Sequence, residues 1–323
     1  MQRLRRREPE PGTAPGARAG HGVVGRAGHG LVGRVVGRAG HGLVGRVVGR
    51  AGHGVVGRVP VVPAPSKPAR VMPGAEPFSA PGGPRGALLV HGFCGSPFSM
   101  RRSAERLAAH GLSVEAPLLP GHGTVVEDLV PLGWADWSGA AEAAYTSLRA
   151  RCPDVAVVGH SMGGAIACWL AERHPEIRGI AVVNPLVQPF DDEIRSGAKA
   201  LVEAGTVLWS GAASDTADPE VTFPTYEGTP LAAFCSLNDG VEEVATALGQ
   251  IRCPVLLISS RVDHVVPPAN GDQLVASVRG PSARVWLERS YHNAMVDYDH
   301  EEVEDRIEEF VLRVTAPASE PVA

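Results

Sequence analysis

Gly159-His160-Ser161-Met162-Gly163 follows the short apolar run Val155–Val158 and opens a helix-patterned stretch, Met162–Arg173. A serine between glycines at such a corner reads in two ways. It is either part of a tight strand-to-helix turn or the nucleophile of a G-x-S-x-G elbow. A nucleophile there needs small residues two before and two after it, because strand and helix crowd at the corner; Gly159, Gly163 and Gly164 meet that need. A serine hydroxyl reacts poorly at neutral pH without a base and an orienting acid. On an elbow these follow in the order Ser, Asp or Glu, His, each after a late strand. The apolar run Pro254–Ser259 is followed by Ser260-Arg261-Val262-Asp263-His264, and Ala283–Leu287 by Glu288-Arg289-Ser290-Tyr291-His292. The spacing therefore predicts Ser161 as nucleophile, Asp263 as acid and His292 as base. The other reading of Asp263 is a turn cap. His264, before Val-Val-Pro-Pro, suits a loop, and His300 suits the surface before the last helix. A tetrahedral intermediate also needs backbone donors for its oxyanion. The amide after the nucleophile, Met162, and one from the loop His91-Gly92-Phe93-Cys94-Gly95, by position Phe93, are the candidates. The Cys94 thiol, with no histidine implied as its partner, reads as a spectator.

These residues need a frame that brings distant strand ends together. Apolar runs alternate with amphipathic stretches from residue 85 onward. Strands are predicted at Ala87–Phe93, Leu112–Leu119, Val155–Val158, Ile177–Val183, Pro254–Ser259 and Ala283–Leu287. Helices are predicted at Met100–His110, Trp134–Arg151, Met162–Arg173, Asn270–Val278 and Glu301–Val314. Such alternation implies an α/β fold, a mostly parallel sheet flanked by helices, with reactive groups at the carboxyl ends of the strands. Residues 188–250 break the alternation and are too long for a loop. They read as a small helical cap, inserted after the sixth-strand region, with a helix over Asp192–Leu208. Within it Val202, Val207, Leu208 and Trp209 either line an apolar substrate tunnel or form cap core. Glu203 either bonds a polar end of a substrate or faces solvent.

The chain of 323 residues is uneven in charge. Residues 1–71 hold 13 Lys and Arg against 2 Glu, a net of +11, and the remainder holds 17 basic and 33 acidic residues, a net of −16. An acidic body argues against nucleic acid as a partner. Arg-Ala-Gly-His-Gly recurs from Arg18, Arg26, Arg38 and Arg50 within a twelve-residue unit, GHGLVGRVVGRA. Glycine at that density costs too much backbone entropy for too little side chain to bury, so disorder is expected over 1–71. Three readings stand: a basic disordered tail, a translated DNA repeat upstream of a start at Met72, or a metal site on His21, His29, His41 and His53, which lacks mixed ligands. The strand-and-helix body is then expected to run from 72 to 316, with a short disordered tail over 317–323. Five cysteines, an odd number without C-x-x-C spacing, suit a reducing compartment. The arginines of the N-terminus are not followed by an apolar h-region, and no run approaches the ~18 apolar residues of a membrane span. Both point to a cytoplasmic protein.

The segments HGFCGSPFSMRRSAERLAAHGLSVEAPLLPGHGT, GHSMGG, VDHVVPPANGDQL and SYHNAMVDYDH resemble the bacterial monoacylglycerol lipase and carboxylesterase family of α/β-hydrolases over about residues 72–315. The resemblance implies the triad Ser161, Asp263 and His292, an oxyanion hole from the Phe93 and Met162 amides, a compact mobile cap, no cofactor and no metal. It implies a serine carboxylic-ester hydrolase for short- to medium-chain acyl esters, monoacylglycerols among them, with at most transient contact with a lipid surface. In that setting Glu203, Val207 and Leu208 become candidate substrate contacts. The rival readings are the same triad used on lactones, amides or acyl transfer, a non-catalytic binding protein of the same fold, and a tail-driven nucleic-acid or surface binder.

Overall fold

Strand residues that alternate between two apolar faces need helices on both sides, and that requirement organises this chain. The computed structural model describes residues 69–210 and 214–317. The repeat with its four histidines and the last six residues lie outside the described residues. Elements in chain order are β1 (Phe78–Ala80), β2 (Arg85–Val90), α1 (Arg101–Ala109), β3 (Ser113–Ala116), α2 (Val126–Leu129), α3 (Trp134–Arg149), β4 (Asp154–His160), α4 (Met162–Arg173) and β5 (Gly179–Val183). After them come α5 (Asp192–Glu203), β6 (Leu208–Ser210), β7 (Gly228–Pro230), α6 (Leu231–Ala247), β8 (Val255–Ser260), α7 (Ala269–Ser277), β9 (Ser282–Leu287) and α8 (His300–Val314).

The main sheet has the order β1-β3-β2-β4-β5-β8-β9. All its pairs are parallel except β1 with β3 at one edge. Leu88, Val90, Val155 and Val157 face a core shared with α3 and α4. Their sequence neighbours Ala87, Leu89, Ala156 and Val158 face a second core shared with α1 and α8. Burial on both faces is why these strands read as unbroken apolar runs. The expected mostly parallel sheet flanked by helices is therefore present.

The insert follows β5 in chain order. Its first helix differs from expectation: α5 stops at Glu203, not at Leu208. Gly205 takes φ +85°, its N–H donates to the Val202 carbonyl (2.9 Å), and the Thr206 N–H donates to the Leu201 carbonyl (2.9 Å). This left-handed glycine stop satisfies the last carbonyls and reverses the chain. The following residues form a two-stranded ribbon, β6 with β7, in place of helix. The second surprise is α6. Leu231 and Phe234 pack with Ala198 in the cap, whereas Leu237, Val241 and Val244 join the main core. A Cβ on Gly240 would lie 2.1 Å from the Trp134 ring, so only glycine lets α6 come this close to α3. The cap is thus continuous with the core at its carboxyl end.

Candidate active site

The corner at Ser161 is built by steric exclusion. β4 delivers the chain, Ser161 takes φ +54°, ψ −118°, and α4 starts at the next residue. That backbone lies in a region L-residues rarely adopt, and such strain persists only where the surroundings over-determine it. Here they do. The Ser161 N–H donates to the Val183 carbonyl (3.0 Å), and its carbonyl accepts from Gly164 (2.9 Å), Ala165 (3.2 Å) and Leu186 (3.2 Å). A Cβ on Gly159 would lie 2.1 Å from the Gly163 carbonyl oxygen, and one on Gly163 would lie 2.0 Å from that of Val90.

The structure brings Ser161, Asp263 and His292 together from the ends of β4, β8 and β9. His292 Nε2 lies 3.0 Å from Ser161 Oγ, and His292 Nδ1 lies 2.8 Å from Asp263 Oδ2. An ionised carboxylate only accepts, so Nδ1 carries the proton and Nε2 is free to accept from the serine hydroxyl. The second Asp263 oxygen accepts from the amides of Val265 (2.9 Å) and Val266 (2.7 Å). Burial by itself would lower the His292 pKa; the Asp263 carboxylate, by charge and hydrogen bond, and the Asp215 carboxylate outweigh it and raise the pKa above the ordinary histidine value. Asp263 and His292 side chains are 3% and 7% exposed, so water competes little for either bond.

Three further side chains hold His292. His160 Nε2 donates to the His292 carbonyl (2.9 Å), as does Asn184 Nδ2 (2.9 Å). Burial, then the neighbouring His292, pushes the His160 pKa down to about 3, so this second imidazole stays neutral and does not compete for the proton. Asn184 itself sits at φ +43° at the end of β5. On the other side the His292 N–H donates to Asp215 Oδ2 (3.1 Å).

The loop after β2 faces Ser161. His91 donates from Nδ1 to the Gly92 carbonyl (2.9 Å) and accepts the Leu119 amide at Nε2 (3.1 Å), which fixes a neutral tautomer. Burial pushes its pKa down to about 4. A Cβ on Gly92 would come within 3.3 Å of Ser161 Cβ. Neither the Phe93 nor the Met162 amide donates to another protein group among the described residues. Both amides are therefore left without a protein acceptor near Ser161. Cys94 is buried, and burial pushes its thiol up to about 12, too weak an acid to supply a thiolate.

Above Ser161 and His292 opens a cavity walled by Leu186, Phe190, Trp209, Phe223, Phe234 and Val266. Of the residues singled out in the cap, Trp209 reaches this cavity and Val202 packs in the cap core. Glu203, Val207 and Leu208 do not line it, a correction to their reading as substrate contacts. Glu203 is exposed on the last turn of α5, and Val207 and Leu208 are each 37% exposed. The cause is the stop at Gly205: β6 has period two, so turning Trp209 inward turns Leu208 outward. His264 bonds Asp215 through Nδ1 (2.8 Å), and His300 bonds Glu304 (3.0 Å) at the start of α8; neither reaches Ser161. Sequence reasoning missed Asn184 and Asp215. A polar residue at the end of the apolar run Ile177–Val183 was a usable signal for Asn184; Asp215 lies in a stretch without periodicity and gave none.

The sequence over residues 87–306 matches the profile of the Alpha/beta hydrolase family. The chain is 40% identical over 246 residues to a thermostable monoacylglycerol lipase of Bacillus sp. (strain H-257), covering 75% of this chain and 96% of the relative. It is 25% identical over 241 residues to a carboxylesterase of Bacillus subtilis (strain 168), covering 74% and 97%. Among solved structures, one of the metagenome-derived lipolytic enzymes LipS and LipT superposes with a TM-score of 0.72 at 35% identity, covering 76% of this chain and 100% of the other. The monoacylglycerol lipase of Paleococcus ferrophilus shares the fold with a TM-score of 0.61 at 20% identity, covering 74% and 98%.

Proposed function

We propose that this chain, which belongs to the alpha/beta hydrolase family and is an ester hydrolase, cleaves monoacylglycerols and similar short- to medium-chain acyl esters through an acyl-enzyme on Ser161. The observation that carries the reading is the hydrogen-bonded series Asp263–His292–Ser161 at the floor of an apolar cavity. Its catalytic roles follow from the chemistry of the groups. His292 Nε2 takes the Ser161 proton as Oγ bonds to the ester carbonyl carbon, and the carbonyl π electrons move to oxygen. The Phe93 and Met162 amides donate to that oxyanion, each such donor being worth about 2.7–4 kcal/mol of barrier. Collapse expels the alcohol, which takes its proton from His292. A water then repeats the sequence, releasing the acid and restoring the serine. Asp263 holds the imidazole tautomer throughout. The walls of Phe190, Phe223, Trp209 and Phe234 suit an acyl chain, and the names of the related lipase and esterase supply the substrate class.

The body over 72–316 is read as the whole catalytic unit, since Met72 already donates to the Gly123 carbonyl (2.7 Å) and packs on the core. Cytoplasmic location is supported by five free cysteines, and no described helix is long and apolar enough to cross a membrane. The test is a hydrolysis profile over monoacylglycerols and p-nitrophenyl esters from acetate to palmitate, beside an amide and a lactone, with Ser161→Ala as control. Ester cleavage that falls off at long chains and vanishes in the control is expected. Undiminished activity in Ser161→Ala, or preference for the amide or lactone, overturns the proposal.

A further inference from the structure

We propose that Asp215, a residue of the cap, is a positioning residue for the triad, so that the seating of this cap segment is a condition of full activity; the inference rests on the roles just given to Ser161, Asp263 and His292.

The contacts of Asp215 are unlike those of an ordinary cap residue. Its Oδ2 accepts the main-chain N–H of both His292 (3.1 Å) and His264 (3.1 Å), and its Oδ1 meets His264 Nδ1 (2.8 Å). Its own carbonyl accepts from the Asn293 N–H (3.0 Å) and from Asn293 Nδ2 (3.3 Å). His264 neighbours the acid in sequence, and Asn293 neighbours the base. One residue of the insert therefore ties the loop after β8 to the loop after β9, the two loops whose spacing sets the Asp263–His292 bond. A second tie uses the cap residues two and three positions after Asp215: Asp297 accepts the amides of Ala217 (2.7 Å) and Asp218 (3.0 Å) from the cap and of Tyr291 (2.9 Å) from the base's own loop. The Asp215 side chain is only 10% exposed, so its bonds are not readily exchanged for water.

The consequence is twofold. His292 is held from both ends of its backbone, by Asp215 at N–H and by His160 and Asn184 at the carbonyl. Its ring then has little freedom to leave the line between Asp263 and Ser161. The charged and titratable groups facing His292 are Asp263 and Asp215, both anionic acceptors, and neutral His160; those facing Asp215 are His264 and His292, with Tyr291 edge-on to His264. The Asp215 charge thus adds to that of Asp263 in favouring imidazolium, the state that forms when Ser161 gives up its proton.

The experiment compares wild type, Asp215→Ala, Asp215→Asn and Ser161→Ala in the full chain. It uses p-nitrophenyl acetate, which touches little of the cavity wall, together with thermal unfolding. A lost hydrogen bond to an oriented base is expected to lower kcat about tenfold in Asp215→Ala, with KM for this small ester held. In both Asp215 variants the acid limb of kcat/KM moves to lower pH, because the charge that favoured imidazolium is gone. An anchor with only a structural role lowers the melting temperature and leaves kcat and the acid limb in place; that result overturns the inference. Should Asp215→Ala fail to fold, Asp215→Asn, similar in size and retaining one acceptor, decides by the same limb. Activity persisting in Ser161→Ala refutes the underlying mechanism instead, so the two failures are separable.

Discussion

Adding one methyl group at Gly163 tests whether the serine corner and the oxyanion loop form a single rigid unit. In Gly163→Ala the new Cβ would stand 2.0 Å from the Val90 carbonyl oxygen, 2.6 Å from its carbon and 2.7 Å from the His91 oxygen. All three are backbone atoms at the end of β2, so no side chain can rotate away. The nearest approach is about 1 Å inside the 3.0 Å that real Cβ atoms keep, and α4 must therefore back away from β2 by about that much. Met162 moves with α4, and Phe93 stays with the loop after β2. The two amides proposed to bind one oxyanion are then separated from their common target. A misplacement of about 1 Å at a reacting centre costs roughly a hundredfold in rate, and overpacking costs about 1–3 kcal/mol of stability. Steady-state hydrolysis of a p-nitrophenyl ester should show kcat/KM reduced about a hundredfold, with a melting temperature lower by roughly 2–10 °C. Gly139→Ala is the matched control: this glycine is exposed within α3, and its Cβ would meet nothing within 4 Å. There the change should leave activity intact and raise stability by up to about 1 kcal/mol. Wild-type rate and melting temperature in Gly163→Ala would refute the reasoning.

Two further outcomes follow from titratable groups. In the proposed mechanism His292 must be neutral to accept the serine proton, and its pKa is raised, so the acid limb of kcat/KM should lie above about pH 6.5, the ordinary histidine value; a midpoint below that value contradicts the geometry of the Asp263 and Asp215 carboxylates. Glu172, far from the reaction, is buried on α4 with Oε1 lacking a hydrogen-bond partner, and burial pushes its pKa up to about 8. The fold therefore prefers its protonated form. Its ionisation costs nothing below about pH 4.5, where both states are neutral, and costs most above about pH 8. Glu172→Gln should match wild type in unfolding free energy near pH 4.5 and exceed it by roughly 3–5 kcal/mol near pH 9. Parallel stability curves for the two proteins would argue that the carboxyl is solvated.

Much of this architecture was legible before any coordinates. The two-faced burial of β2, β4, β5 and β8 wrote itself as apolar runs, and α4 begins and ends at the residues its pattern predicts, Met162 and Arg173. The end of α5 also has a sequence mark, Gly205, but the predicted helix runs past it to Leu208. The three residues proposed as the triad were readable because each occupies the position just past a strand, and a parallel sheet gathers those positions along one edge.

Amino-acid sequence by itself determined the alternation of strands and helices, the glycine-fenced serine, and the order Ser161, Asp263, His292. These are local patterns: periodicity, turn chemistry and distance from a strand end. Only the tertiary structure decided which cap side chains face the cavity, that α6 belongs half to the core, and that Asp215 reaches His264 and His292. Those outcomes depend on contacts between distant segments; the Asp215 contacts alone span 49 and 77 residues. No periodicity marks such pairs, and a single left-handed glycine upstream changes which face of the chain arrives.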